Sequence, residues 1–192
     1  MTRPFVVGIA GGTASGKTTI AQRVADLTGA ALVTHDRYYR DADASTNFDH
    51  PASLDTARLV ADLDRLRVGE PVELPIYHFP THQRLATTDR LIPGPLLVVE
   101  GILVLAEPSL RARFDLCVFV RAAADVRLIR RVRRDIAERG RDVESVLRQY
   151  LATVRPMHET FVEPSAAHAS LVLEGESVLD EEVERLLAVL PI

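Results

Sequence analysis

One lysine marks where this chain can do chemistry. The run Gly11-Gly12-Thr13-Ala14-Ser15-Gly16-Lys17-Thr18 fits the pattern G-x-x-x-x-G-K-[ST] at every fixed position. In such a loop the glycines let backbone N–H groups turn inward, and the following helix N-terminus adds partial positive charge at the same place. A lysine there reaches the β- and γ-phosphates of a nucleotide, and the next hydroxyl, Thr18, meets Mg²⁺. Lys17 is the only lysine in the chain; the other 22 of its 23 basic residues are arginine. A compact ammonium fits among phosphates where a planar guanidinium does not.

Three further groups suit the same chemistry. The apolar run Leu96-Leu97-Val98-Val99 ends in Glu100-Gly101, a strand that delivers a carboxylate to Mg²⁺. Asp36 follows the short apolar run Ala31 to Thr34. There it either faces the terminal phosphate, as proton acceptor or Mg²⁺ partner, or serves as a turn or helix-capping residue. Seven arginines fall between 127 and 141, with Arg127, Arg130, Arg131 and Arg134 gathered on one side of a helix. A charge run is ordinarily a solvated face, and a basic one can bind nucleic acid. In a phosphate-loop protein the sharper reading is a lid over the transferring group. Tyr77, Phe79 and His82 sit near the tip of a β-hairpin, where rings could stack on a flat ligand; for Phe79 simple packing is the preferred reading.

These side chains need a scaffold, and the pattern supplies one. Phe5 to Ala10 reads as a buried strand and Thr19 to Leu27 as a helix with Ile20, Val24 and Leu27 on one side. Ser53 to Val68 reads as a helix capped by Ser53, with Leu59, Leu63 and Leu66 inward. Val72 to Phe79 and Leu85 to Ile92 form the hairpin, an insertion at about 72–92. Asp115 to Val120 is another strand, and Ala124 to Arg139 a helix with an apolar stripe of Leu128, Ile129, Val132 and Ile136, the core of a lid at about 124–145. Glu144 to Glu163 is helical with Val146, Tyr150, Val154, Met157 and Phe161 inward, and Pro156 kinks it or removes a bond. Leu171 to Leu173 is the last strand and Leu179 to Leu190 the closing helix. Strands alternating with helices imply an α/β three-layer fold, a five-stranded parallel sheet with helices on both faces.

The 192 residues suit a single domain, and 47% hydrophobic content suffices for its core. A net charge of −4 and a pI near 5.9 argue against broad binding to nucleic acid or acidic membrane. Cys117 lies in an apolar run and has no second cysteine to pair with, which fits a reducing cytoplasm. No apolar run is long enough to cross a bilayer, and the first strand begins without room for a signal peptide.

Taken together, these stretches resemble the uridine kinase (uridine–cytidine kinase) group of the phosphoribulokinase/uridine kinase family. The resemblance runs through Gly8 to Thr19, Asp36 with Tyr38-Tyr39, Asn47-Phe48-Asp49-His50-Pro51, Pro75-Ile76-Tyr77 to His82, Val99 to Leu103, Arg130-Arg131 with Arg134-Asp135, Glu138-Arg139-Gly140-Arg141, Gln149-Tyr150 and Arg155-Pro156. It implies transfer of the γ-phosphoryl of ATP or GTP, with Mg²⁺, to the 5′-hydroxyl of uridine or cytidine. It implies Asp36 as general base, Asp49 and Arg141 at the ribose hydroxyls, Tyr77 and His82 reading the base, and Gln149 as a further substrate contact. Arg131 then lies at the reacting phosphate with Arg134 beside it in the lid. Gly11 to Thr19 hold the donor, Thr18 and Glu100 the metal. It also implies a cytoplasmic homo-oligomer, a tetramer.

Two departures stand out. The link from the first helix to Asp36 is short. After the last strand, where the family commonly has Pro-Arg-Gly, this chain has Leu173-Glu174-Gly175-Glu176, so acid replaces base beside the donor. Three rival readings remain. One is a sister kinase acting on a sugar phosphate or pantothenate. Another is a non-catalytic nucleotide sensor or nucleic-acid ATPase. A GTPase-like switch is disfavoured, because its Asn-Lys-x-Asp guanine motif needs a second lysine.

Overall fold

The computed structural model describes residues 3–43 and 46–191. Of the polar loop 41–51, Ala44 and Ser45 lie outside the described residues, as do Met1, Thr2 and Ile192. In chain order come β1 (Phe5–Gly11), α1 (Lys17–Thr28), β2 (Ala31–Thr34), α2 (Thr56–Arg67), β3 (Val72–His78), β4 (Gln83–Leu91), β5 (Leu96–Glu100), α3 (Pro108–Arg111), β6 (Leu116–Arg121) and α4 (Ala124–Arg139). A helical rod then runs from 143 to 165, with α5 (Val143–Gln149), α6 (Arg155–Met157) and α7 (Glu163–Ser165) alternating with wide π turns at Tyr150–Val154 and His158–Val162. β7 (Leu171–Glu174) and α8 (Leu179–Leu187) close the chain.

The five-stranded sheet has the order β2-β5-β1-β6-β7, every pair parallel. Side chains of β1 alternate between two cores. Val6 and Ala10 face the core shared with α2 and the hairpin; Val7 and Ile9 face the core under α1 and α8. Burial on both faces explains why these strands read as unbroken apolar runs. β1 lies at the centre of the sheet, flanked by β5 on one side and β6 on the other, so the loop after it opens at the switch point, where ligands bind in such sheets.

The antiparallel β3–β4 hairpin stands apart from the sheet and buries Val72, Leu74 and Tyr77 against the first core. Arg84 bolts it to the turn after β2, donating to the Tyr39 carbonyl at 2.7 Å, the Tyr38 carbonyl at 2.8 Å and Asp55 at 3.1 Å. Ala42 N–H donates to the His82 carbonyl at 2.9 Å, so the hairpin tip has a fixed position.

Several sequence expectations change. Helix α2 starts at Thr56 and is capped by Asp55, whose carboxylate accepts from Arg58 N–H. Ser53 instead sits buried in a preceding 3-10 turn and donates to the His50 carbonyl at 2.7 Å. On α1 the covered positions are Ile20, Ala21, Val24 and Ala25, and Leu27 is exposed, because the helix also leans on α8. On α4 the apolar stripe is only partly covered: Ile129 and Ile136 are exposed and Leu128 and Val132 half-buried, whereas Arg127, Arg131 and Asp135 are buried. The helix crosses the mouth of the cleft rather than lying on the sheet, so its packed face is the charged one. In the rod Val146, Tyr150 and Val154 are buried as expected, but past the π turns the inner position is Val162, and Met157 and Phe161 are only half-buried. Arg155 N–H reaches back to the Tyr150 carbonyl, a widening just ahead of Pro156, which has no N–H to offer.

Candidate active site

The phosphate loop connects β1 to α1 as expected. Gly16 has φ 100°, in the left-handed region that glycine tolerates, and is the N-cap of α1, so Lys17 is the first helical residue. Ala14 shares that backbone region at φ 56°. Ser15 is fully buried inside the loop. The segment after β7 closes against it: a Cβ on Gly175 would run into the Ser15 carbonyl.

Lys17, Thr18 and Glu100 meet at the floor of the cleft. Thr18 Oγ1 donates to Glu100 Oε2 at 3.1 Å, and Lys17 Nζ lies 3.5 Å from the same oxygen. Burial holds the Glu100 carboxyl above its ordinary range, with Lys17 pulling the other way. A buried carboxylate beside a hydroxyl is an all-oxygen donor pair. It suits Mg²⁺, which keeps water and phosphate oxygens as its other ligands. Among the described residues no cluster of three His, Cys, Asp or Glu side chains forms a closed metal cage.

Asp36 stands in a 3-10 turn directly after β2, and β2 pairs with β5 so that Thr34 lies beside Glu100. Its carboxylate faces the cleft and takes no hydrogen bond among the described residues. Below it His35 is almost fully buried, packed against Gly101.

The arginine helix spans the cleft. Arg131 donates to Thr13 Oγ1 of the phosphate loop at 3.0 Å and to Gln149 Oε1 at 3.0 Å. Burial lowers its pKa, and the Asp135 and Asp49 charges support its cation. Arg141 reaches the same Gln149 oxygen, so Gln149 joins the two guanidiniums. Arg134 and Arg141 both line the cleft. The start of α4 is tied to the post-β7 loop: Arg130 donates to the Gly175 carbonyl at 2.8 Å, and Ala123 N–H to Glu176 Oε1 at 2.6 Å. Glu176 is therefore occupied as an anchor of α4, and Glu174 is the acid left facing the cleft.

Across the cleft lies an aromatic cage wider than the sequence suggested. Phe48 stacks on the His82 ring at 4.9 Å, Tyr39 meets Phe48 edge-on at 5.3 Å, and Tyr77 meets Phe79 at 5.1 Å. Phe79 is half-exposed, so it both packs on its neighbours and lines the cleft. Tyr77 Oη and His82 Nδ1 are both buried and have no hydrogen-bond partner among the described residues. Asp49 sits beside the cage, accepting from Thr153 Oγ1 at 3.4 Å; desolvation raises its pKa against the pull of Arg131. Sequence reading named Tyr39 and Phe48 only inside motifs, not as cleft residues, and did not single out Thr153, which bonds Asp49. The Phe48 neighbourhood was the available signal; the π turn that aims Thr153 inward left none.

Tyr77 lines a small pocket with Asp36 and Phe79. Adjoining it, Lys17, Thr18, Asp36, Tyr39, Phe48, Asp49, Phe79, His82, Glu100, Arg131, Arg134, Arg141 and Gln149 border one larger cavity of about 1530 Å³ that runs on to Glu174 and Ser177. That exceeds the roughly 300–1,000 Å³ typical for one small ligand and leaves room for two.

This combination, a phosphate loop at the switch point of a five-stranded parallel sheet with an arginine helix across the cleft, defines a phosphate-loop kinase fold. Solved structures share it. A putative fructose transport system kinase from Silicibacter superposes with a TM-score of 0.72 at 20% identity, covering 90% of each chain. A possible uridine kinase from Bacillus stearothermophilus gives 0.65 at 15% identity, covering 90% of this chain and 89% of that one. The family described as phosphoribulokinase / uridine kinase matches residues 6–180. Uridine kinase of Chloroflexus aurantiacus is 51% identical over 184 residues, spanning 91% of this chain and 88% of that protein. Uridine kinase of Deinococcus deserti is 44% identical over 196 residues, 97% and 95% of the respective chains. The chain belongs to the phosphoribulokinase/uridine kinase family.

Proposed function

We propose that this protein transfers the γ-phosphoryl group of ATP, or of GTP, to the 5′-hydroxyl of uridine or cytidine, yielding UMP or CMP in pyrimidine salvage. The observation that carries this is the single cavity in which a phosphate loop and an aromatic cage face each other with Asp36 and Arg131 between them. Phosphoryl transfer asks for in-line positioning and charge stabilisation more than for covalent help. Loop residues Gly11 to Thr19 hold the triphosphate, and Lys17 bridges its terminal oxygens. Thr18 and Glu100 would hold Mg²⁺, which would supply charge neutralisation to the triphosphate. Asp36, past the end of β2 and on the cleft wall, orients the 5′-hydroxyl and accepts its proton. Arg131 and Arg134 meet charge developing on the transferring group, and their helix shields it from water.

The acceptor is recognised by the cage. Tyr77 and His82 bond the pyrimidine edge, the rings of Phe48 and Phe79 sandwich its face, and Asp49, Arg141 and Gln149 engage the ribose diol. A carboxylate at the diol rewards two hydroxyls and repels an acceptor phosphorylated there. A flat, ring-lined slot fits a nucleobase better than the sugar phosphates or pantothenate that sister kinases would use. Nucleoside and nucleoside triphosphate are thus the proposed partners, without nucleic acid or membrane. No helix among the described residues is long and apolar enough to cross a bilayer. A cytoplasmic homo-oligomer, the tetramer of the family resemblance, completes the proposal, and light scattering tests it. The test of function is a coupled assay with Mg²⁺ and ATP against uridine, cytidine, thymidine, adenosine, ribulose 5-phosphate and pantothenate. Turnover confined to uridine and cytidine is expected; turnover only with another acceptor would overturn the substrate.

A further inference from the structure

The arginines over the cleft converge on one carboxylate that the reaction does not consume. Asp135 is fully buried on α4. Its Oδ1 accepts from Arg134 Nε at 3.0 Å and Nη2 at 2.8 Å, and lies 3.4 Å from Arg139 Nη1. Its Oδ2 faces Arg131 Nε at 3.7 Å and Arg141 Nη1 at 3.6 Å and accepts no hydrogen bond among the described residues. Its main chain is engaged too: the Asp135 carbonyl accepts from Gly140 N–H, the C-cap of α4, and from Arg141 N–H at 3.1 Å. One residue therefore ends the helix, fixes the backbone of Arg141 and gathers four guanidiniums.

The two carboxylate oxygens do different work. Oδ1 grips Arg134 and steadies Arg139 at the end of the helix. Oδ2 only balances the charge of Arg131 and Arg141, the pair that meets at Gln149 and reaches Thr13 and the acceptor side. Four cations crowded without a counter-ion repel one another and scatter; with a carboxylate bonded fully to all of them they would be sequestered from phosphate. Here the tight contact takes Nε and Nη2 of Arg134 and orients that side chain along the cleft, and the loose ones leave Arg131 and Arg141 free to adjust.

We propose that Asp135 is a positioning residue for phosphoryl transfer: its buried carboxylate preassembles Arg131, Arg134, Arg139 and Arg141 as one cationic array, holding Arg131 and Arg141 by charge alone. The inference rests on the reading of α4 as a lid. Loss of the carboxylate should disorder the array and at the same time raise its net positive charge.

The experiment compares wild type, Asp135→Asn, Asp135→Glu and Arg131→Gln by steady-state kinetics, inhibition by inorganic phosphate and thermal melting. For Asp135→Asn, kcat with uridine should fall about tenfold or more while KM for ATP rises less than about threefold. Inhibition by inorganic phosphate should strengthen and become more salt-dependent, since four guanidiniums lack their counter-ion. Asp135→Glu should recover part of kcat and return phosphate inhibition to the wild-type level. A merely structural aspartate would lower the melting temperature without strengthening anion binding, and that result would overturn the proposal, as would a kcat within about twofold of wild type. If Asp135→Asn does not fold, Asp135→Asn/Arg139→Met, with one cation fewer, carries the same test. Turnover retained in Arg131→Gln would instead refute the lid reading itself.

Discussion

His35 makes the base-bearing turn sensitive to acid. The ring is almost fully buried, neither nitrogen has a hydrogen-bond partner among the described residues, and burial lowers its pKa from 6.5 to about 4. The folded state therefore carries a neutral imidazole, while the unfolded chain protonates near 6.5. Because the folded pKa is depressed, the unfolded state binds the extra proton between these values. Stability is complete above about pH 6.5, falls as pH drops toward 4, and reaches its full loss below 4. At about 1.4 kcal/mol per pH unit, the full interval is worth roughly 3 kcal/mol, and the loss between pH 7 and pH 5 is about 2 kcal/mol. In urea, with a slope of about 2–3 kcal/mol/M for a chain of this size, the midpoint should fall on the order of 1 M from this group. Carboxylates titrate at lower pH and add their own slope, so the comparison is with His35→Leu, similar in volume and unable to titrate. Urea unfolding at pH 7 and pH 5 should show the wild type losing about 2 kcal/mol more than the variant. Equal losses would mean that His35 is hydrogen-bonded or hydrated in the folded protein and would refute the reasoning.

Three other outcomes follow from the site. Lys17→Arg should abolish most turnover although it keeps the charge, because the guanidinium does not fit between Glu100 and the loop; near-normal kcat would contradict the tight-site argument. Asp49→Ala should cost uridine far more kcat/KM than 2′-deoxyuridine, and an equal loss for both would remove Asp49 from the diol. Glu174→Arg should tighten binding of ATP and GTP, since this acid faces the donor end of the cleft, and calorimetry showing unchanged affinities would dismiss it as a specificity element.

The scaffold was legible because it is written in short-range pattern. The phosphate loop and the runs of β1, β5 and β6 are local signals. Apolar strand runs end where a ligand-facing residue begins, unbroken in β5 because both its faces are buried and shorter in the edge strand β2, which is how Asp36 and Glu100 were located. What sequence could not supply is the direction in which elements face. In α4 the apolar stripe suggested packing on a core, yet the cleft claims the opposite side and buries Arg127, Arg131 and Asp135. Asp135 looked like one acid among arginines; only the folded turn to Arg141 makes it their common partner. Ser53 and Asp55 both suit a helix cap, and the hydrogen bond of Ser53 into the preceding turn decides between them. The π turns around Pro156 rotate the inner face of the rod, and no periodicity at 3.6 residues anticipates them.

Phosphoryl transfer to a nucleoside hydroxyl activated by Asp36 is the central claim, and the most direct test is the rate of UMP formation by wild type and Asp36→Asn at saturating uridine and ATP with Mg²⁺. The side chain is nearly isosteric, so ATP affinity should hold while kcat falls about 10²–10⁴-fold. An Asp36→Asn enzyme that forms UMP at close to the wild-type rate would contradict the account.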